Sequence, residues 1–207
     1  MKTILSVLSA AVLMIALTVS MSGCIEPHPI VGTWETTYTY AEVALGDTSQ
    51  ISEFVSLDGF ENVIMKETYT FENGSRYTCT LDVDAYEKAY REVMTETITD
   101  AYTALLEEYG LDMTIDEAME LDGLTWDELM DKEYFDSLRE EAVTQGRFKI
   151  TEDKIYLSAG LDYGVDENVY ITYTLEDDKL TFKQQVGGED TENVNSILPR
   201  VYTKIAS

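Results

Sequence analysis

Apolar and polar positions alternate with period two over most of the chain, and two interruptions of that rhythm divide it. The first interruption is at the start. Residues 4–19 are apolar except for Ser6, Ser9 and Thr18, they follow Lys2, and no second charge intervenes before Glu26, which is the layout of an export signal. Strand patterning then begins at Gly32: Trp34, Thr36, Tyr38 and Tyr40 share one parity, and Thr33, Glu35, Thr37 and Thr39 the other. Residues 51–57 form a weaker strand candidate. Val63, Met65, Tyr69 and Phe71 share an inward parity, with Glu67 the polar exception, and Tyr77, Cys79, Leu81 and Val83 share that of the following strand. A plain two-residue Asn73-Gly74 turn would set these apolar faces against polar ones. A three-residue Glu72-Asn73-Gly74 loop, with Gly74 left-handed, instead places Tyr69 opposite Tyr77 and Met65 opposite Leu81. Two later hairpins repeat the plan, matching Ile150 with Ile155 and Leu175 with Leu180 across acidic turns, and a further strand at 200–205 is placed to cover the open edge.

The second interruption has helical period. Tyr86, Tyr90, Val93, Thr97, Ala101 and Leu105 recur at steps of three and four, and Gly110 stops them. Asp84 with Glu87, Thr114 with Glu117, and Thr125 with Glu128 have capping-box spacing, and Ile115, Met119, Leu129 and Phe135 mark shorter helices. The expected fold is therefore mainly β: an antiparallel meander closing into a barrel of about eight or nine strands, with residues 84–143 as a helical insertion. The stripe from Tyr86 to Leu105 must bury against something: the barrel's outside, its mouth as a lid, or a partner protein.

Two resemblances refine this picture. Met21-Ser22-Gly23-Cys24 resembles the lipobox of bacterial lipoproteins, with Met21 where leucine is more usual. It implies cleavage after residue 23, diacylglycerol on Cys24, a short tether over 24–29, and an extracytoplasmic domain over 30–207 held to the cell membrane or outer membrane. Gly32-Thr33-Trp34, followed by Tyr69-Thr70-Phe71-Glu72-Asn73-Gly74, Lys179-Leu180-Thr181-Phe182 and Val201-Tyr202-Thr203-Lys204, resembles the lipocalin-like domains of secreted bacterial lipoproteins. That likeness spans about 30–83 and 144–205 and omits the insertion. It implies that Trp34 packs at a closed barrel end, with Arg200 as the late-strand arginine that covers it, and that a cup binds a small, largely apolar molecule. Inward Met65, Glu67, Tyr69, Tyr77, Tyr173 and Phe182 are large enough either to line such a cup or to fill it.

Charge narrows the partners. Removing residues 1–23 takes away Lys2 alone among 14 basic side chains and none of the 40 acidic ones, leaving a formal charge of −27 over 184 residues. Phosphate backbones and anionic lipid surfaces are poor partners for such a domain, so nucleic acid is excluded and acylated Cys24 must do the anchoring. Catalysis finds no support. The single histidine, His28, lies in the tether, so a Ser-His-Asp arrangement has no base, and no serine stands in a nucleophile elbow. Cys79 reads as core packing. Inward Glu67 needs a partner or water, which a place at the barrel mouth would supply. Asp82 with Asp84, and Asp162, Asp166 and Glu167 after Gly160, offer oxygen ligands without the spacing of a calcium loop, and read as acidic turns. No metal or cofactor is expected. Two functions remain: a lipid-anchored protein binding a small apolar ligand in its barrel, or a non-enzymatic interaction or cell-envelope structural module acting through the insertion.

Overall fold

The computed structural model describes residues 27–43, 59–130, 132–188 and 191–205. The weak strand candidate at 51–57, the export segment and Cys24 lie outside these residues. Eight strands form a closed antiparallel barrel in simple sequential order: β1 (Gly32–Thr39), β2 (Ile64–Glu72), β3 (Arg76–Leu81), β4 (Val143–Thr151), β5 (Lys154–Leu157), β6 (Tyr170–Glu176), β7 (Lys179–Val186) and β8 (Arg200–Ile205). The strand expected to cover the edge is β8, which pairs with both β7 and β1 and so leaves no free edge.

Up-and-down order gives the barrel two unlike ends. Tight turns link β2–β3, β4–β5 and β6–β7 at one end, where the chain also enters β1. The longer connections, including the whole insertion, leave from the other. Ile150 does face Ile155 and Leu175 faces Leu180, so the two acidic hairpins have the register their apolar parity requires. The first hairpin differs. Its loop is Asn73-Gly74-Ser75, closed by Glu72 opposite Arg76, so Tyr69 faces Cys79 and Phe71 faces Tyr77. The expected inward faces are kept, but the register is displaced by two residues. Ser75 takes the left-handed conformation at φ 64°, beside Gly74 at φ 104°. A polar residue that tolerates that region lets the loop sit one residue later than Gly74 alone indicated.

The turn end is closed from within. Trp34 is fully buried and its indole Nε1 donates to the Ile30 carbonyl at 2.7 Å, fastening the segment before β1 beneath the barrel. His28 belongs to this fastening: its Nδ1 accepts the Ile30 N–H, and its carbonyl accepts the Val31 N–H. His28 and Pro29, in the expected tether, are therefore part of the packed structure. Arg200 does not cover Trp34. Lys204 does, its ammonium 5.1 Å from the ring centroid and bonded to the Pro29 carbonyl. The reason is register: β8 sets Lys204 opposite Trp34, leaving Arg200 nearer the other end. There Arg200 stacks over the Tyr38 ring at 4.0 Å and donates to the Thr37 carbonyl and Glu42. Gly32 sits at φ 140°, a conformation that favours glycine, and the lysine chain passes over it, 2.9 Å from where a Cβ would stand. Above Trp34, inward Phe71, Tyr77, Phe148, Ile155, Tyr173, Leu180, Phe182 and Tyr202 fill the interior as one core.

A second core closes most of the other end. Tyr38 and Met65, of inward parity, pack with Tyr40, Phe60, Val63 and three residues of the insertion, Val83, Tyr86 and Phe135. The insertion comprises α2 (Val83–Tyr109), α3 (Ile115–Asp122), α4 (Trp126–Leu129) and α5 (Lys132–Glu141), numbered after the short α1 (Tyr40–Val43). Of the three surfaces open to the α2 stripe, the mouth receives its first turns. Ala101 and Leu105, in its second half, are exposed. Thr114 and Thr125 build both expected capping boxes. Asp84 does not: α2 starts two residues earlier, with Asp82 accepting the Ala85 N–H, because Val83 is drawn into the second core. Glu87 is thereby freed to pair with Arg91 and Arg139, and the latter ties α5 to α2.

Candidate functional site

Where the two cores meet, the barrel holds a carboxylate. Glu67 projects inward from the middle of β2, and side chains from three other strands converge on it. Tyr38 from β1 and Tyr202 from β8 each donate a phenolic hydrogen bond to Oε2 at 2.6 Å. Cys79 from β3 reaches Oε1 with its thiol at 3.5 Å. The carboxylate accepts in all three contacts, and among the described residues no lysine, arginine or histidine nitrogen lies within ion-pair distance of it. The short O–H···O distances are those of charge-assisted bonds. Arg200, over the far face of Tyr38, is the neighbouring cation, and it is committed to Glu42 and the Thr37 carbonyl.

The surroundings hold these donors in their protonated forms. Burial, and then the charge of Glu67, pushes the Tyr38, Tyr69 and Tyr202 phenols well above their ordinary range. The same two causes, in the same order, push the Cys79 thiol up. It is a weak donor in a carboxylate's field, the opposite of the setting that activates a nucleophilic cysteine.

A cavity of about 200 Å³ opens beside the carboxylate, lined by Glu67, Tyr69, Tyr77, Cys79, Leu81, Glu141, Ala142 and Thr144. Its mouth lies where the insertion runs into β4 and leaves the barrel partly uncovered. Thr144 shows this: it shares the inward parity of Gly146 and Phe148 on β4, yet it is exposed. Glu67, Tyr69 and Cys79 likewise face inward but keep partial exposure, because they look into this space. The wall is fixed from behind, where the Tyr77 hydroxyl donates to the Ser158 carbonyl at 2.8 Å. Gly146 lets the two meet: a Cβ there would be 2.4 Å from that carbonyl oxygen and 2.6 Å from the Tyr77 ring.

Of the six side chains expected to line a cup, Glu67, Tyr69 and Tyr77 do so. Met65 is taken up in the capping core, and Tyr173 and Phe182 fill the closed half. Cys79 is a wall of the cavity as well as a packed residue. Tyr38 and Tyr202, the donors to Glu67, were not expected there. Both have inward parity on their strands, but their meeting depends on barrel closure across 135 residues between Glu67 and Tyr202.

Two other places were candidates. Asp82 caps α2, and Asp166 accepts hydrogen bonds from the Asn168 backbone and side-chain N–H groups. Among the described residues no three histidine, cysteine or acidic side chains are grouped to hold a metal ion, and no helix there is long and apolar enough to cross a membrane. Comparison with family models, with curated proteins and with solved structures gives no match.

Proposed function

We propose that this chain is a lipoprotein with a lipocalin-like barrel, anchored through acylated Cys24 on the extracytoplasmic side, that binds a small molecule in the cavity beside Glu67. One observation carries the binding role: a partly open space in an otherwise filled barrel, walled by Tyr69, Tyr77 and Leu81, with Glu67 converging on it. The volume limits the ligand. At about 200 Å³ the space is smaller than a drug-sized pocket of about 300 Å³ or more, and holds about seven water volumes. The small molecule that the lipocalin-like resemblance implies is held to that size, and a lipid-sized guest does not fit. The anchor rests on the segment ending Ser22-Gly23-Cys24. Intact-mass measurement of membrane-extracted protein is expected to show loss of residues 1–23 and gain of diacylglycerol. An unmodified Cys24 refutes the anchor, and C24A should release the protein from membranes. For binding, Leu81→Trp, which fills the cavity, should abolish any ligand-induced rise in Tm seen with the unaltered protein.

A second reading, docking through the insertion, is favoured by apolar side chains that α2 and α3 leave in water. Leu105, Tyr109 and Leu121 are exposed, Leu121 to 75 %, as is Leu111 between the two helices, and Met119, Leu124 and Trp126 line a groove at the end of α3. Leu121→Asp with Leu105→Asp should then lose a cross-linked envelope partner while leaving the cavity intact.

A further inference from the structure

We propose that the ligand of the Glu67 cavity is a small organic cation, a primary ammonium of about half a dozen non-hydrogen atoms; this deepens the binding role proposed above and rests on it. The argument starts from the two oxygens of one carboxylate. Oε2 is saturated by two phenolic donors at 2.6 Å. Oε1 receives only the Cys79 thiol among the described residues, at 3.5 Å, and a thiol is a weak donor. An inward carboxylate is ordinarily matched by a cation, and here none lies within ion-pair distance among the described residues. The unfilled requirement is on the side of Cys79, and Cys79 lines the cavity. A donor with positive charge placed there makes a charge-assisted bond to Oε1, which a neutral guest cannot equal.

The rest of the lining selects for the same chemistry. The aromatic side chains of Tyr69 and Tyr77 line the cavity, and aromatic rings attract an ammonium group that reaches them. Leu81 and Ala142 give an alkyl chain apolar contact. A second carboxylate, Glu141, stands at the rim, so an anion entering would meet one negative charge at the mouth and another at the floor. The whole chain, at a formal charge of −26, raises the local concentration of cations and repels anions. Seven water volumes accommodate an alkylammonium and exclude a peptide or a lipid.

The test is calorimetric titration of the full-length protein in detergent with three probes of similar size: n-butylammonium, neutral 1-butanol and butyrate. One molecule of n-butylammonium should bind per chain, at least tenfold more tightly than 1-butanol, with no detectable butyrate binding. Glu67→Gln should weaken n-butylammonium tenfold or more and leave 1-butanol within twofold. Thr144→Phe guards against a misfolded Glu67 variant and against diffuse attraction to an acidic surface. It obstructs the mouth from β4, beside Cys79, while leaving Glu67 and its two phenolic donors in place, and should remove binding of both probes. If 1-butanol binds as tightly as n-butylammonium and is blocked by Thr144→Phe, the cationic ligand is wrong while the binding role stands. If n-butylammonium binds equally well to the Thr144→Phe protein, it is held elsewhere and the proposal is overturned. If none of the three binds the unaltered protein, the binding role fails with it.

Discussion

Trp34 is held by an indole hydrogen bond and by full enclosure, and two substitutions separate those contributions. Trp34→Phe keeps most of the apolar contact but strands the Ile30 carbonyl, and should cost about 1–2 kcal/mol. Trp34→Ala adds a cavity and should cost about 3–5 kcal/mol, both read from urea denaturation. Around Glu67 the residue-scale consequence is a dependence on alkaline pH. The unfolded chain releases phenolic protons near pH 10, whereas the fold, through burial and the Glu67 charge, keeps those of Tyr38, Tyr69 and Tyr202 to higher pH. The native state then binds more protons than the unfolded one, so these groups leave stability unchanged below about pH 9 and lower it as pH rises through 10. Each such phenol steepens the loss by up to about 1.4 kcal/mol per pH unit. Tyr202→Phe should therefore flatten the alkaline limb of a denaturation series by about that slope, and an unchanged limb would mean that Tyr202 titrates normally in the fold.

At the scale of elements, α2 has two halves with different attachments. Its first turns carry Val83 and Tyr86 into the capping core, while in its far half Tyr102 donates to Asp122 of α3. Amide hydrogen exchange should show protection near the global value up to about Met94, and local opening at lower free energy toward Tyr109. Removing the cap with Asp82→Ala should cost about 1 kcal/mol, and Leu105→Ala should stay within about 0.5 kcal/mol. The capping boxes at Thr114 and Thr125 were legible because such a signal is complete within four residues. The inward parity of β2, of β3 up to Leu81, and of the two acidic hairpins was legible too, since it repeats locally. The exact register of β2 with β3 was not: Asn73-Gly74 admits loops ending at Gly74 or Ser75 with the same faces inward, and the choice between them involves pairing beyond the turn. The Glu67 cluster was half legible. Parity placed the carboxylate inside and Tyr38 on the neighbouring strand β1, but the second phenolic donor, Tyr202, comes from a strand that reaches it only when β8 closes on β1.

For the whole molecule, the two cores make the insertion part of the fold rather than an appendage. Replacing residues 85–141 with a short Gly/Ser linker removes Tyr86 and Phe135 from the capping core and uncovers Tyr38, Met65 and Phe60. The shortened chain should unfold at clearly lower urea and bind a dye specific for exposed apolar surface. Unaltered cooperativity and midpoint would show that the barrel closes without its cap. The placement of the chain's entry has a spatial consequence. His28 and Ile30 are fastened beneath Trp34, at the end where the tight hairpins lie. With Cys24 acylated as proposed, four residue steps, or about 14 Å at full extension, separate the lipid from His28. So short a leash stands the barrel hairpins-down on the bilayer, with the Thr144 corner turned outward to the surrounding fluid. Energy transfer to an acceptor-labelled headgroup should accordingly be stronger from Trp34, seen in a W126F protein, than from Trp126, seen in a W34F protein. A guest of the Glu67 cavity would then arrive from solution rather than climb out of the membrane, as a water-soluble ammonium compound can and a lipid tail cannot.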